Sequence, residues 1–355
     1  MVANVGEAAV SGVSLVDNIM ILIINIFAAL ATGGAVVAGQ YIGRKDEKSA
    51  CKAATQLVWF VSLSAVAIMI LVYLGKDIIL NQVFGHITAE VKGHADIYLL
   101  IVTASIPFIA LYNGGAAIFR AMGNSQVSMR VSLLMNAINV TGNAILVFGL
   151  RIGTAGVAIP TLISRMIAAI VITVLLCNQT RILHIERTLK IRFDGRMIRK
   201  ILAIGVPNGL ENSMFQLGKL AIQSTVSTLG TAAIAAQAMT NILENLNGIA
   251  AIGVGVGLMT IVGQCLGAGR KDEAVYYIKK LCVIAEVIII ISCLGVFALT
   301  KPITILGGME KESADMCFHM VMWITIVKPL VWIMAFIPGY GLRAAGDVKF
   351  SMIVS

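Results

Sequence analysis

The chain has 355 residues, of which 58% are hydrophobic and only 13% are charged. Soluble domains carry about 25% charged residues, so a water-soluble globular fold is excluded and the lipid bilayer must surround much of the chain. The net charge of +9 does not indicate nucleic-acid binding, because no basic segment is interleaved with aromatic residues.

Nine apolar segments follow one another along the chain. Each can cross a bilayer, which takes about 20 helical residues. They are 13–41, 54–74, 94–119, 131–150, 154–177, 201–229, 233–266, 281–300 and 314–342. Backbone polar groups in lipid must be hydrogen-bonded within their own segment, so these segments are predicted to be helices. The expected fold class is an all-α polytopic membrane protein with nine transmembrane helices, whose environment is the lipid bilayer.

The basic residues of the connecting loops alternate along the chain. Loops after the first, third, fifth, seventh and ninth segments hold nineteen lysines and arginines, whereas the other loops hold five. The positive-inside rule predicts that the first set lies in the cytoplasm. The 179–200 linker is the richest, with seven. We interpret these charges as topology control, with contact to lipid headgroups as the alternative.

Two sequence motifs occur twice at almost the same offset. Gly39-Gln-x-x-Gly43 recurs at Gly263 with an offset of 224, and Arg120-Ala-x-Gly-Asn124 recurs at Arg343 with an offset of 223. The offset spans six segments, an even number, so matched helices run in the same direction through the membrane. This predicts a parallel repeat of two pseudo-symmetric helical bundles. The expected domains are an N-terminal bundle at 1–180, a cytoplasmic basic linker at 181–200 and a C-terminal bundle at 201–355.

A complete pair of such bundles would hold twelve helices. The repeat partner of segment 201–229 would lie before Met1, and the partners of 131–150 and 154–177 would lie mostly beyond Ser355. We therefore expect the chain to be a truncated form of a twelve-helix protein, without its first helix and its last two.

The repeated motifs resemble those of the multidrug and toxic compound extrusion (MATE) family. Family members end the second helix of each bundle with a pattern similar to Gly34–Asp46 and Thr260–Asp272, and R-A-x-G-[DN] follows the fourth helix. The resemblance implies a cell-membrane protein, in the bacterial inner membrane, that exports small organic compounds and often cations. It implies Na⁺ or H⁺ as the coupling ion and no other cofactor.

Polar residues recur at helical spacing inside several apolar segments, where a charged side chain costs about 2.5–3.5 kcal/mol on insertion scales. One face of 201–229 and one face of 233–266 carry such residues, and Asn139 and Asn143 belong to a stripe in 131–150. Several stripes together predict a wet cleft for substrate and ion. The candidate binding residues are Glu211, Glu244, Asp17, Lys219, Asn208, Asn212, Gln216, Asn241 and Asn245.

These residues have a structural interpretation as well as a functional one. Amides also hydrogen-bond membrane helices to one another, at about 0.6 kcal/mol per contact, and for them the two interpretations stand equal. Glu211 and Glu244 favour function because burying a charge costs more, and Glu211 is the expected exchangeable carrier. Lys219 is expected to pair with Glu211 or Glu244 or to serve as a structural counter-ion. Arg165 and Lys328 have no evident partner in the sequence.

Two alternatives to drug export remain. A flippase for lipid-linked saccharides would need a cavity rich in arginine and lysine, whereas the candidate residues include three carboxylates. A non-transport membrane protein is the other alternative. An enzyme is not expected, because no H-E-x-x-H motif or nucleophile–base cluster occurs. No G-x-x-x-x-G-K-[ST] loop for ATP occurs either, so an ion gradient is the expected energy source.

Overall fold

The structure is a computed structural model that describes residues 6–83, 88–178, 182–185 and 193–354. Within these ranges the chain forms helices and no strand. The helices are α1 (Glu7–Gly43), α2 (Glu47–Leu74), α3 (Lys76–Ile78), α4 (Ala89–Thr103), α5 (Ile106–Ala121), α6 (Ser125–Asn143), α7 (Ala155–Leu176), α8 (Gly195–Ser227), α9 (Thr231–Gly267), α10 (Lys271–Leu306), α11 (Lys311–Ala345) and α12 (Val348–Val354). α3 continues into a π-helix at Ile79–Val83, and α6 continues into one at Ala144–Gly149.

The described helices account for the predicted membrane spans. Seven of them are long and apolar enough to cross a membrane, and α4 with α5 makes a bent eighth span. α8 has 33 residues, enough to span, although its polar side chains lower its hydropathy. Each of the nine predicted segments therefore has a helical counterpart within the described ranges. The all-α polytopic fold class is confirmed.

Acidic side chains start two of the helices. Asp46 precedes α2, and its carboxylate accepts a hydrogen bond from the Ser49 N–H at 3.0 Å. Asp194 precedes α8 and accepts hydrogen bonds from the N–H groups of Arg196 and Met197 at 3.0 and 3.3 Å. These carboxylates satisfy N–H groups that a first helical turn leaves unpaired. The helices therefore begin outside the apolar segments, which is why they are longer than predicted.

The predicted segment 94–119 is two helices rather than one. α4 and α5 meet at an angle of 47°. Pro107 lies in the first turn of α5. The N–H groups of a first turn have no partner within the helix, so a proline there costs no hydrogen bond. Inside a continued α4 the same proline would remove a backbone hydrogen bond. The Ser105 hydroxyl at the break donates to the Val102 carbonyl at 2.6 Å. A proline and a serine thus turn one apolar segment into a bent span.

The chain divides into two compact units, Met1–Gly209 and Leu210–Ser355, which we call unit 1 and unit 2. The division falls inside α8. In unit 1, α1 packs so closely against the first half of α8 that a Cβ at Gly33 would collide with the backbone of Ile201 and Gly205. Glycine is required at this crossing because the two helix backbones are in contact.

Unit 2 is built from α9, α10 and α11, which all pack against one another. Leu243 and Val321 are buried in its core. The domain limits predicted from the sequence stay predictions. Residues 179–181 and 186–192, which hold four of the linker's basic residues, lie outside the described residues.

The backbone repeats the sequence motifs. Lys45 and Gly269, which are 224 positions apart, both have positive φ angles, of 59° and 77°. Gly123 and Gly346, which are 223 positions apart, have φ angles of 77° and 88°. The matched turns also share a hydrogen bond, in which the N–H of Gly123 donates to Arg120 O and that of Gly346 to Arg343 O. The two units therefore use the same turns at the repeat offset predicted from the sequence.

Candidate functional site

Unit 2 carries polar side chains on an exposed surface of its helices. Asn212 and Lys219 on α8 are exposed, as are Asn241 and Asn245 on α9. Gln216, between the first two in the sequence, and Glu244, between the last two, are half-buried. We call these six residues the polar face of unit 2. Unpaired polar groups in hydrocarbon cost several kcal/mol each, so a face of this composition is suited to contact with water.

Glu244 is the carboxylate on the polar face, and Lys328 of α11 is its partner. The Lys328 ammonium lies 3.6 Å from Glu244 Oε1 and donates to the Glu244 carbonyl oxygen at 3.4 Å. The Lys328 side chain is only 7% exposed, whereas that of Glu244 is 39% exposed. The buried lysine therefore has a structural anchor, and the carboxylate keeps an open side that can receive a second cation.

Glu211 is bonded differently from Glu244. Arg343 donates to one carboxylate oxygen, and the Ser351 hydroxyl donates to the other at 3.3 Å. The carboxylate thus connects α8 with α11 and α12. Arg343 belongs to the repeated R-A-x-G-[DN] motif, which sequence analysis used only as a family marker, and nothing in the sequence connected it with Glu211.

Lys219 does not form either of the two expected ion pairs. Its ammonium lies 5.0 Å from the centroid of the Phe215 ring, one helical turn away on α8. The carboxylates of Glu211 and Glu244 are instead bound to Arg343 and Lys328. The side chain of Lys219 is exposed and is held by the ring alone among the contacts described for it.

Asn208 belongs to unit 1 and lies one helical turn before Asn212 on α8. Its side chain is 4% exposed, and its Oδ1 has no hydrogen-bond partner among the described residues. Buried amide oxygens without a partner are costly. The sequence placed Asn208 on the same helical stripe as Asn212 and Gln216, and the three side chains differ in burial: Asn208 is buried, Gln216 is half-buried and Asn212 is exposed.

Asp17 of α1 lies in a polar cluster inside unit 1. The Tyr98 hydroxyl of α4 donates to Asp17 Oδ1 at 2.9 Å. Arg165 of α7 attracts the Asp17 carboxylate electrostatically and donates to the Ser105 hydroxyl at 2.8 Å. Arg165, which had no evident partner in the sequence, therefore connects Asp17 with the break between α4 and α5. Tyr98 was missed because a tyrosine in an apolar segment gives no signal of its own.

The amide stripe of α6 joins that helix to α7. Asn139 donates to the Thr161 hydroxyl at 3.0 Å, and Asn143 donates to Asn139 Oδ1 at 3.0 Å. The first of these is a helix–helix hydrogen bond, as the structural interpretation of the amides predicts, and the second holds the Asn139 amide in place from within α6. The Asn143 Oδ1 atom has no hydrogen-bond partner in the described part of the chain.

Outside the membrane segments, Lys52 and Asp194 form an ion pair in unit 1. The ammonium donates to Asp194 Oδ2 at 2.5 Å. This bond, together with the N–H groups at the start of α8, holds the pKa of the Asp194 carboxyl below its usual range. The residues before α8 are thereby tied to the first turns of α2. Within the described ranges, no group of three His, Cys, Asp or Glu residues is arranged to hold a metal ion.

The membrane-spanning helices, with ion pairs and amide hydrogen bonds between them, define a polytopic membrane protein. The MatE family model matches residues 1–145 and 207–355 of the chain. The chain therefore belongs to the MatE family, the MATE multidrug efflux transporters. It is a multi-span protein of a bacterial cell membrane, as its relatives indicate.

Curated relatives come from several bacteria. The chain is 26% identical to "Uncharacterized transporter YisQ" of Bacillus subtilis (strain 168), and the match covers 100% of this chain and 78% of that protein. It is 24% identical to "Probable multidrug resistance protein NorM" of Thermotoga maritima, covering 77% of this chain and 59% of that protein. It is 21% identical to "Multidrug export protein MepA" of Staphylococcus aureus (strain MW2), covering 98% and 76%.

Solved structures share the fold. One is titled "Outward-facing conformation of a multidrug resistance MATE family transporter of the MOP superfamily"; the TM-score is 0.92 at 18% identity, covering 98% of this chain and 77% of that one. Another, "Crystal structure of MATE in complex with MaL6", has a TM-score of 0.91 at 19% identity and covers 99% and 78%. At these identities the likeness concerns the fold.

Proposed function

We propose that the chain exports small organic compounds, hydrophobic cations among them, in exchange for Na⁺ or H⁺. Membership of the MatE family supports this proposal, as do the names of relatives such as "Multidrug export protein MepA". The observation that carries it is Glu244, a half-exposed carboxylate on a membrane-spanning helix. A carboxylate at that place attracts a metal ion, a proton and an organic cation alike, and so lets them compete.

Exchange requires that ion and substrate stabilise different states of the transporter. Glu244 fits this role because its open side can bind either of them while Lys328 holds its other side. Glu211, the carrier expected from the sequence, has both carboxylate oxygens engaged, so we assign it an anchoring role. Asp17, bound by Tyr98, is the corresponding candidate in unit 1.

Ethidium efflux from proteoliposomes tests the proposal. An imposed Na⁺ or H⁺ gradient should drive efflux by the unsubstituted chain, and Glu244→Gln should abolish the gradient dependence because it removes the charge but keeps the shape. Glu211→Gln should retain that dependence. The matched control is Glu273→Gln, since Glu273 is an exposed carboxylate of unit 2 that pairs with Arg270 at 3.2 Å.

Three results would contradict the proposal or part of it. Efflux whose rate depends on neither the Na⁺ nor the H⁺ gradient would contradict an antiport mechanism. Gradient-driven efflux unchanged in Glu244→Gln would remove Glu244 from the mechanism. Transport of a lipid-linked saccharide without transport of ethidium would replace drug export by the flippase function.

A further inference from the structure

Three aromatic rings of unit 2 form a continuous cluster that the transport scheme has not used. Trp332 and Phe336, one turn apart on α11, stack with ring centroids 4.9 Å apart and planes at 25°. Phe215 of α8 meets Phe336 edge-on, with centroids 5.8 Å apart and planes at 81°. We call these rings the aromatic cluster. Phe215 is 50% exposed, so the cluster opens at that ring.

Lysine ammonium groups cover both ends of the aromatic cluster. Lys328 lies 5.5 Å from the centroid of Trp332, and Lys219 lies 5.0 Å from the centroid of Phe215. Each lysine comes from the same helix as its ring, one turn away. A cation within about 6 Å of an aromatic face is attracted by the negative charge of the π-system, and an anion is repelled. Both positions are therefore cation sites that the protein fills with its own side chains.

The two lysines are held with different strength. Lys328 is buried, and it contacts both the carboxylate and the carbonyl oxygen of Glu244. Lys219 is exposed and lies against the open ring, Phe215. Because water rehydrates a released ammonium group, Lys219 can leave Phe215 at little cost, whereas Lys328 cannot leave Glu244 without leaving its own buried charge unpaired.

We propose that the aromatic cluster and Glu244 form the binding subsite for an aromatic organic cation, which displaces Lys219 from Phe215. This inference rests on the proposed function and assigns a place and a chemical class to its substrate. The rings supply apolar area and π-faces, and the half-exposed Glu244 carboxylate supplies the opposite charge. Lys219 acts as an internal competitor that covers the open ring until the substrate arrives.

Binding of tetraphenylphosphonium to the full chain in detergent, measured by calorimetry, tests the subsite. Trp332→Ala and Phe215→Ala should each weaken binding about ten-fold, the size expected when one ring contact with a cation is lost. Lys219→Met should tighten binding several-fold, because the competing cation is gone. The matched control is Lys301→Met, since Lys301 covers the ring of Phe318 at 4.9 Å in the same unit and lies outside the cluster. It should leave the affinity unchanged.

Tetraphenylborate, which has the same shape and the opposite charge, should not compete with tetraphenylphosphonium. Effective competition by the borate would overturn the choice of a cation. Unchanged affinity in both Trp332→Ala and Phe215→Ala would overturn the assignment of the subsite. If those two variants do not fold, Lys219→Met decides: unchanged or weaker binding in that variant would overturn the assignment. If the variants do not change the affinity for tetraphenylphosphonium but the chain still exports organic cations, only the subsite is rejected. If the unsubstituted chain neither binds nor exports organic cations, the proposed function itself is rejected.

Discussion

Arg343 of α11 donates a hydrogen bond to the carboxylate of Glu211 on α8, from 132 positions further along the chain. The two side chains are only 12% and 10% exposed. A buried carboxylate of this kind is stabilised by its cation and cannot exchange it without leaving a charge unpaired. The pair therefore fixes the second half of α8 to α11 within unit 2.

Breaking the Glu211–Arg343 pair from one side should destabilise the protein. Arg343→Met leaves a buried carboxylate without its cation and should lower the free energy of unfolding by about 3–5 kcal/mol. Adding Glu211→Leu should recover part of the loss, because no buried charge then remains. Unfolding in detergent measures both variants. As a control, Arg270→Ala removes an exposed ion pair with Glu273 and should lower the free energy of unfolding by less than about 1 kcal/mol. Equal losses in Arg343→Met and in the double variant would contradict the expectation.

Lys45 holds a backbone conformation that suits glycine. Its φ angle is 59°, and its repeat counterpart Gly269 has a φ angle of 77°. A side chain in this region costs about 1–2 kcal/mol, partly offset by the entropy that a glycine loses on folding. Lys45→Gly should therefore raise the free energy of unfolding by roughly 0.5–1 kcal/mol.

The reverse change at the matched turn is the control for Lys45. Gly269→Ala should lower the free energy of unfolding by a similar amount. Nothing lies within 4 Å of a Cβ placed at Gly269, so the loss would come from the backbone conformation and not from a collision. If thermal melts show that both changes destabilise, the strain assigned to Lys45 is absent.

The Lys52–Asp194 pair should make stability depend on pH in the acid range. Its lysine lowers the pKa of Asp194 from the ordinary value of 3.8. A carboxyl whose pKa is lower in the folded state stabilises that state above the ordinary value, and the contribution is lost as the pH falls through the lowered one. The difference in melting temperature between the unsubstituted chain and Asp194→Asn should therefore be constant near neutral pH and shrink below about pH 4.

Lys52→Met is the matched variant for this pH experiment. It removes the main cause of the lowered pKa of Asp194 but keeps the carboxylate that starts α8. Its difference from the unsubstituted chain should shrink over the same acid range. A difference that stays constant down to pH 3 in both variants would contradict the assignment of the pair.

Tyr98→Phe tests the polar cluster of unit 1. The change removes the hydroxyl that donates to Asp17 at 2.9 Å. A hydrogen bond to a charged group contributes about 1.5–3 kcal/mol, so the free energy of unfolding should fall by that amount. Tyr73→Phe is the control, because its hydroxyl bonds the Leu100 carbonyl at an exposed position and should cost about 1 kcal/mol or less. Equal losses of unfolding free energy in Tyr98→Phe and Tyr73→Phe would show that the hydrogen bond to the Asp17 carboxylate gives no extra stability.

Much of the fold was predictable from local sequence patterns. Lipid forces a spanning segment to satisfy its own backbone, so apolar length alone predicted the helices. The repeat was also visible, because a turn that needs a positive φ angle retains its small residues, as at Gly123 and Gly346. The bend between α4 and α5 lies at Pro107, and a proline inside an apolar segment indicates such a kink because it cannot continue the helical hydrogen bonds.

Helical periodicity also predicted which polar residues the membrane helices carry. In unit 2 this prediction holds for Asn212, Lys219, Asn241 and Asn245, which are exposed. Asn208, on the same stripe of α8, is buried in unit 1 instead. Periodicity describes one helix at a time, so it contains no information on which part of a polar stripe the neighbouring helices cover.

The sequence by itself determined the membrane-spanning segments and their helical type, the repeat and the presence of charge inside the membrane, because each follows from composition or from spacing along the chain. The partners of those charges were decided only by the tertiary structure. Lys219 lies on the same helix as Glu211, yet the carboxylate binds Arg343. Lys328 reaches Glu244 from 84 positions away. A buried charge takes whichever opposite charge the packed helices bring within a few ångströms, and packing between distant segments leaves no periodic trace in the chain.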